Sequence, residues 1–190
     1  RHAAAPPALH KEDSIELELT ILDWIQLHLR CGFLDWLMPF VSGLSNHGEI
    51  WILLAAVLLL LRRQRTYGLS AACALTLDLI ACNILLKPLI GRVRPFAFRP
   101  DFPLLVPPPG DASFPSGHTA AAFAVVFALR FSGSPLWRPA LALAAVTAFS
   151  RLYLYVHWPT DVLGGVLLGA AVGWAGAKLT KALLKKPKEP

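Results

Sequence analysis

An all-α polytopic membrane bundle is the fold class this sequence predicts, with five spans behind a short or interfacial N-terminal helical segment. Three observations carry it. Charged residues make up 16% of the 190 and hydrophobic ones 55%, where a soluble domain carries about 25% charge. Mean hydropathy is +0.53. Several apolar runs approach about 20 residues, the length of helix that crosses a bilayer. The size fits one domain, and no internal repeat is visible, so residues 12–188 form a single membrane-embedded unit. The net charge of +6 raises nucleic acid as a partner. It is rejected, because the cations border the apolar runs instead of covering a soluble face.

Residues 1–11 read as a tail or an expression remnant, outside the fold. No cleavable signal is visible, so the chain's own first spans are expected to direct insertion. From Ile15 to Leu29 the apolar residues Ile15, Leu19, Leu22, Ile25 and Leu29 alternate with Glu16, Glu18, Asp23 and Gln26. That pattern predicts an amphipathic helix lying in the interface. Phe33–Leu44 is more apolar but short, with Pro39 inside. The two pieces make either one broken span or two interfacial helices. Glu49–Leu61 is the first full span, closed by Arg62, Arg63 and Arg65, and Tyr67–Leu86 is the second. Residues 88–114 hold seven prolines and are expected as a loop with no regular helix. Thr119–Phe131, Leu136–Val156 and Val162–Leu184 complete the spans, with a tight turn at Ser132–Pro135.

Basic residues near span ends set orientation. Arg62, Arg63, Arg65, Arg130, Arg138, Lys178, Lys181, Lys185, Lys186 and Lys188 fall on one side, which should be cytoplasmic. The 88–114 loop and the 150–161 segment then face outward. Lys87, Arg92, Arg94, Arg99 and Arg151 lie on that outer side against the rule, and anion binding gives them a reason to be there.

Three short stretches concentrate chemistry beside the apolar runs, where charge is expensive and marks function. Lys87, Arg94 and Arg151 present a positive field that suits phosphate oxygens. Pro115, Ser116, Gly117 and His118 precede an apolar run, so they sit at a helix N-terminus, where backbone N–H groups favour anions. His157 and Asp161 are four residues apart. A carboxylate beside an imidazole fixes its tautomer and raises its basicity, which leaves the other ring nitrogen able to attack phosphorus. The second histidine, His118, can protonate the leaving oxygen. The set predicts phosphoryl transfer through a phosphohistidine. Asp101 and Asp111 lack partners at magnesium-binding spacing, so the chemistry is expected to need no metal and no cofactor.

These stretches resemble the signature motifs of the type 2 phosphatidic acid phosphatases, also called lipid phosphate phosphatases. The first motif is Lys, six residues, then Arg-Pro, here Lys87 to Arg94-Pro95. The second is Pro-Ser-Gly-His at 115–118. The third is Ser-Arg, five residues, His, three residues, Asp, here Ser150 to Asp161. The resemblance covers about residues 45–180. It implies His157 as nucleophile, Asp161 as its partner and His118 as general acid. It implies Lys87, Arg94, Arg151, Ser116 and Gly117 as phosphate-binding residues. It further implies metal independence, vanadate as a transition-state mimic, six spans, and a site on the extracytoplasmic face of the cell membrane. The compact size is similar to bacterial members that hydrolyse undecaprenyl diphosphate, with phosphatidic acid and phosphatidylglycerol phosphate as runners-up. A vanadate-dependent haloperoxidase has a similar site but is soluble. A non-catalytic lipid binder or transporter would be expected to lose a histidine, and both are here. Membrane lipids are the expected surroundings, and the motifs carry no information on oligomeric state.

Several residues outside the motifs carry expectations too. Asp78, mid-span, reads as an interhelical hydrogen bond. Gly165, Gly169 and Gly173 continue at intervals of four from Asp161 and predict close helix packing. His28 and His47 are expected to be structural. Arg92 and Arg99 would serve a substrate head group or solvent. Trp137 and Trp158 would anchor at the interface, with Trp158 also a candidate to line lipid access.

Overall fold

The computed structural model describes residues 7–185, with side chains from residue 13 onward. Among the described residues every regular element is helical. α1 spans Pro7–Leu29, α2 Gly32–Gly43, α3 Glu49–Leu60 and α4 Arg65–Asp78. A π-helical segment, Leu79–Leu86, continues α4 into the short α5, Lys87–Ile90. A 3₁₀ turn follows at Pro95–Phe98, then α6 Gly117–Ser132, α7 Trp137–Tyr153 and α8 Pro159–Leu183. α1 begins at Pro7, inside the stretch 1–11 expected as a tail; residues 1–6, like Lys186 and Lys188, lie outside the described residues. One correction follows. The Pro-rich loop, expected without regular helix, holds two short helical pieces: α5, where Pro88 interrupts the continuing column, and the 3₁₀ turn, where Pro95 comes first and has no intrahelical bond to lose.

The centre of the bundle is α6 against α8 and α4. Glycines let the backbones touch. A Cβ on Gly165 would meet Ser116 O at 2.8 Å, one on Gly169 Ala120 O at 2.7 Å, and one on Gly173 Ala124 O at 2.7 Å. The close packing expected of this run is therefore present, and its partner is α6. Gly176 does the same toward Ala74, and Gly68 toward Ala55 and Leu58 of α3. Trp51, Leu58, Val125, Val126 and Leu129 fill the space between α3, α4, α6 and α7.

Among the described residues, two helices are long and apolar enough to cross a bilayer, Arg65–Phe98 and Pro159–Leu183, and Glu49–Leu60 and Gly117–Ser132 are shorter apolar helices. Leu53, Leu60, Ile84, Leu85, Leu163, Leu167 and Trp174 stand more than half exposed. So broad an apolar exterior belongs in lipid, and the chain is a membrane protein.

α1 departs from the expected amphipathic pattern. Its buried stripe is Leu19, Leu22 and Ile25, packed on Tyr155 and Trp158 or on Tyr153 and Leu154. Of the polar residues expected to face water, Glu16 is exposed, but Glu18, Asp23 and Gln26 face protein. Asp23 accepts from the Tyr155 hydroxyl at 2.6 Å, Gln26 donates to Tyr153 O at 2.7 Å, and Glu18 is only 9% exposed. Leu17, Trp24 and Leu27 take the outer face.

Candidate active site

Three connections deliver the site. The π segment and α5 end the α4 column at Lys87. Pro88 has no N–H to give and disfavours a helical residue before it, and the ladder leading up to it runs as a π-helix, a geometry common at functional sites. The N-terminus of α6 brings Gly117 and His118. The turn between α7 and α8 brings His157, and Tyr155 makes that turn with φ of 61°. For a non-glycine residue this left-handed conformation is strained. It is held by Tyr155's hydroxyl bond to Asp23 and by its ring stacking on Phe102 at 4.5 Å.

Lys87, Arg94, Gly117, His118, Arg151 and His157 line one cavity of about 1020 Å³. Arg94, Arg151 and His157 are each at most 5% exposed. The ring of His157 is held at both nitrogens. Nδ1 lies 3.4 Å from Asp161 Oδ2, and Nε2 lies 3.2 Å from Arg94 Nη1. Arginine can only donate, so Nε2 is the acceptor and Nδ1 carries the proton toward Asp161. This leaves the Nε2 lone pair facing the cavity's cations. Burial, with Arg151 and Arg94 nearby, pulls His157 from 6.5 down to about 3 against the opposing pull of Asp161. The ring is neutral at physiological pH.

Asp161 lies behind His157, wholly buried. Its Oδ2 accepts from the Trp158 N–H at 2.9 Å and from the Ser113 hydroxyl. Arg94 also donates from Nη1 to Val156 O at 2.6 Å and from Nε to Asp111 O at 2.9 Å. Arg151 reaches the Ser42 hydroxyl, while its Nε is buried without a hydrogen-bond partner. An unpaired guanidinium donor at the cavity is costly unless an anion meets it. His118 Nε2 lies 3.4 Å from Asn46 Oδ1 at the mouth. A Cβ on Gly117 would sit 3.6 Å from Lys87 Nζ, so the first N–H groups of α6 open beside that ammonium. Ser116 is placed differently from the other predicted residues. It is fully buried, its hydroxyl is 3.0 Å from Thr119 Oγ1, and its N–H donates to Asp161 O.

Other expectations meet corrections. Asp78 makes no interhelical hydrogen bond through Oδ1, which is buried without a partner in the cavity wall. Trp158 is 1% exposed and donates to Val93 O at 2.8 Å, so it neither anchors at an interface nor lines lipid access. Arg99 pairs with Asp23 at 3.3 Å. Arg92 pairs with Glu18 and Asp161 and is withdrawn from solvent and head group, while Arg99 stays half exposed, as the solvent reading expected. Asp111 bonds both Lys87 and Arg94, a role that spacing did not suggest. Burial raises Asp111, but the two cations outweigh it and hold it near 2.

The sequence model of the PAP2 superfamily matches residues 67–185. This chain belongs to the PAP2 superfamily. Among PAP2 relatives, the undecaprenyl-diphosphatase of Sulfolobus acidocaldarius is 33% identical over 77% of this chain and 70% of its own length. The decaprenylphosphoryl-5-phosphoribose phosphatase of Mycobacterium tuberculosis is 38% identical over 72% of this chain and 77% of its own length. The crystal structure of a transmembrane PAP2 type phosphatidylglycerolphosphate phosphatase from Bacillus subtilis superposes with a TM-score of 0.72. It is 26% identical and covers 95% of this chain and 92% of that one. These PAP2 proteins are named as phosphatases or diphosphatases.

Proposed function

We propose that this chain is an integral membrane lipid phosphatase that works through a phosphohistidine. The observation that carries it is the ring of His157, whose Nδ1 proton points to Asp161 and whose unprotonated Nε2 meets Arg94 Nη1 in a cavity that also bears Lys87 and Arg151. In the reaction, His157 Nε2 forms a bond to phosphorus as the bond to the leaving oxygen breaks. His118 gives that oxygen its proton. Water then attacks the phosphohistidine, His118 takes the water's proton, and inorganic phosphate leaves. The three cations and the α6 N-terminus hold the charge that spreads over the equatorial oxygens. Because side chains supply this positive charge, release of phosphate is expected to continue in EDTA.

Undecaprenyl diphosphate is the favoured substrate, in line with the similar undecaprenyl-diphosphatases of Sulfolobus acidocaldarius and Bacillus subtilis. The similarity to the phosphatidylglycerolphosphate phosphatase keeps glycerophospholipid phosphates as the second reading. The cavity's apolar arm, between Ala55, Ala56 and Leu59 of α3 and Ala72 and Leu75 of α4, suits a lipid chain. The fold is taken as multi-pass, with the site on the extracytoplasmic face. Arg62, Arg63, Arg65, Arg130, Arg138 and the lysines of α8 support this from the opposite end, where Lys181 reaches Phe131 O at 3.4 Å.

The deciding measurement is phosphate release from a panel of these lipids in detergent with EDTA, with and without vanadate. His157→Ala is expected to abolish release and the acid-labile phosphoenzyme, and retained release would sink the nucleophile assignment. His118→Ala is expected to cost about 10²–10⁴ in kcat, and a loss under about tenfold would remove it as general acid.

A further inference from the structure

The hydrogen bonds behind Asp161 reach α1. Asp161 Oδ2 is used by His157, Ser113 and Trp158, while Oδ1 accepts from Arg92 Nη1 at 2.7 Å. The other arm of that guanidinium, Nη2, donates to Glu18 Oε1 at 2.6 Å. Glu18 Oε2 in turn accepts from the Thr160 hydroxyl at 2.8 Å and from the Thr160 N–H at 3.2 Å, in the first turn of α8. The face of Trp158 lies 5.1 Å from the Arg92 guanidinium carbon. Neither Glu18 nor Arg92 lines the cavity, so neither touches substrate.

We propose that Glu18 and Arg92 are positioning residues that hold Asp161 against His157 and keep its charge directed at the ring. On this view α1, which carries none of the three motifs, belongs to the catalytic machinery. The proposal rests on His157 being the nucleophile.

The physical reason is charge balance. A wholly buried carboxylate needs a cationic partner. A guanidinium given to Asp161 alone would neutralise it and weaken its pull on the imidazolium-like ring that forms during attack. One guanidinium shared between two carboxylates leaves a net negative charge, and His157, whose Nδ1 proton points at Asp161, is the group placed to feel it. Geometry adds a second reason. The fork of Arg92 is planar and fixed, so bonds to Glu18, Thr160 and Asp161 at once set the rotamer of Asp161. Lysine offers a point charge without the fork. Glu18 occupies the buried stripe of α1 one residue before Leu19, where a carboxylate is tolerated only because these partners meet it.

The test uses the full chain in detergent, with kcat, KM and inhibition by inorganic phosphate measured on the preferred lipid phosphate. Arg92→Gln is expected to lower kcat by about 10–100-fold, with KM and phosphate inhibition each moving by less than about threefold, since the phosphate cradle is untouched. Glu18→Gln, nearly isosteric, is expected to lower kcat by about 3–10-fold in the same pattern. Arg92→Lys should recover part of the loss. The two glutamine variants should be non-additive when combined, because both act through Asp161. Retained inhibition by phosphate reports a folded cradle, and if Arg92→Gln fails to fold, Glu18→Gln decides alone. Wild-type kcat in the variants that fold, or a loss matched by equal weakening of phosphate inhibition, overturns the proposal. Failure of the phosphohistidine itself shows separately, as a wild-type enzyme without acid-labile phosphoenzyme.

Discussion

Lys87 and Arg94 both bind the carboxylate of Asp111, a half-exposed residue of the Pro-rich loop. A phosphate must displace that carboxylate to reach the same donors. Asp111→Asn is therefore expected to tighten vanadate inhibition by about 3–10-fold, the scale of one charge-assisted contact, with a smaller change in kcat. Weaker inhibition would mean that Asp111 aligns the cations instead. His157 carries a pH prediction. Its value is lowered from 6.5 to about 3, so between these values the unfolded chain binds the proton and the folded one does not. Stability from the neutral ring is complete above about 6.5 and is lost as pH falls through that window. The wild-type melting temperature should drop more steeply than that of His157→Gln on acidification, and parallel curves would refute the burial cause. Most of the cavity was legible from residue types and spacing, because motif chemistry is local. Glu18, Ser42 and Asn46 were not, because nothing in their neighbourhoods signals the distant groups they meet. Arg92 was visible two residues before Arg94, but its partners were not.

The seam between α6 and α8 is built from backbone. Gly165, Gly169 and Gly173 leave no room for a side chain, so the N-terminus of α6 and that of α8 are fixed in register, and His118 and Asp161 with them. Gly169→Leu would drive its side chain into Ala120 O and Ala124 N, which stand at 2.7 and 2.8 Å from the first added atom. It is expected to destabilise by about 1–3 kcal/mol or more, read as a lower melting temperature in detergent. Leu167→Val, on the exposed face of the same helix, should stay within about 0.5 kcal/mol. This seam was readable as a four-residue repeat. The π segment and the start of α1 were harder, since a change of helical register leaves no mark on apolar composition. α1 shows a different limit. Its polar residues looked outward because periodicity cannot say whether a carboxylate faces water or an arginine.

For the molecule as a whole, the proposed orientation is open to a direct check. A cysteine introduced at exposed Pro108 should react with an impermeant thiol reagent in intact cells, and one at exposed Arg63 only after permeabilisation. The reverse pattern would invert the topology. The sequence identified the bundle through its apolar runs, and the helices follow those runs closely except α7, which stops at Tyr153 because the turn at Tyr155 ends it before Val156. The cavity is lined by unlike groups, polar ones around His157 and the loop and several apolar ones from α3 and α4. With the reaction as proposed, one substrate enters and two products leave for different phases, phosphate to water and the lipid to the bilayer. Recombination would then need both to return to one small chamber from separate solvents. The geometry thus biases turnover toward cleavage by partition, without requiring tight discrimination between substrate and product tails.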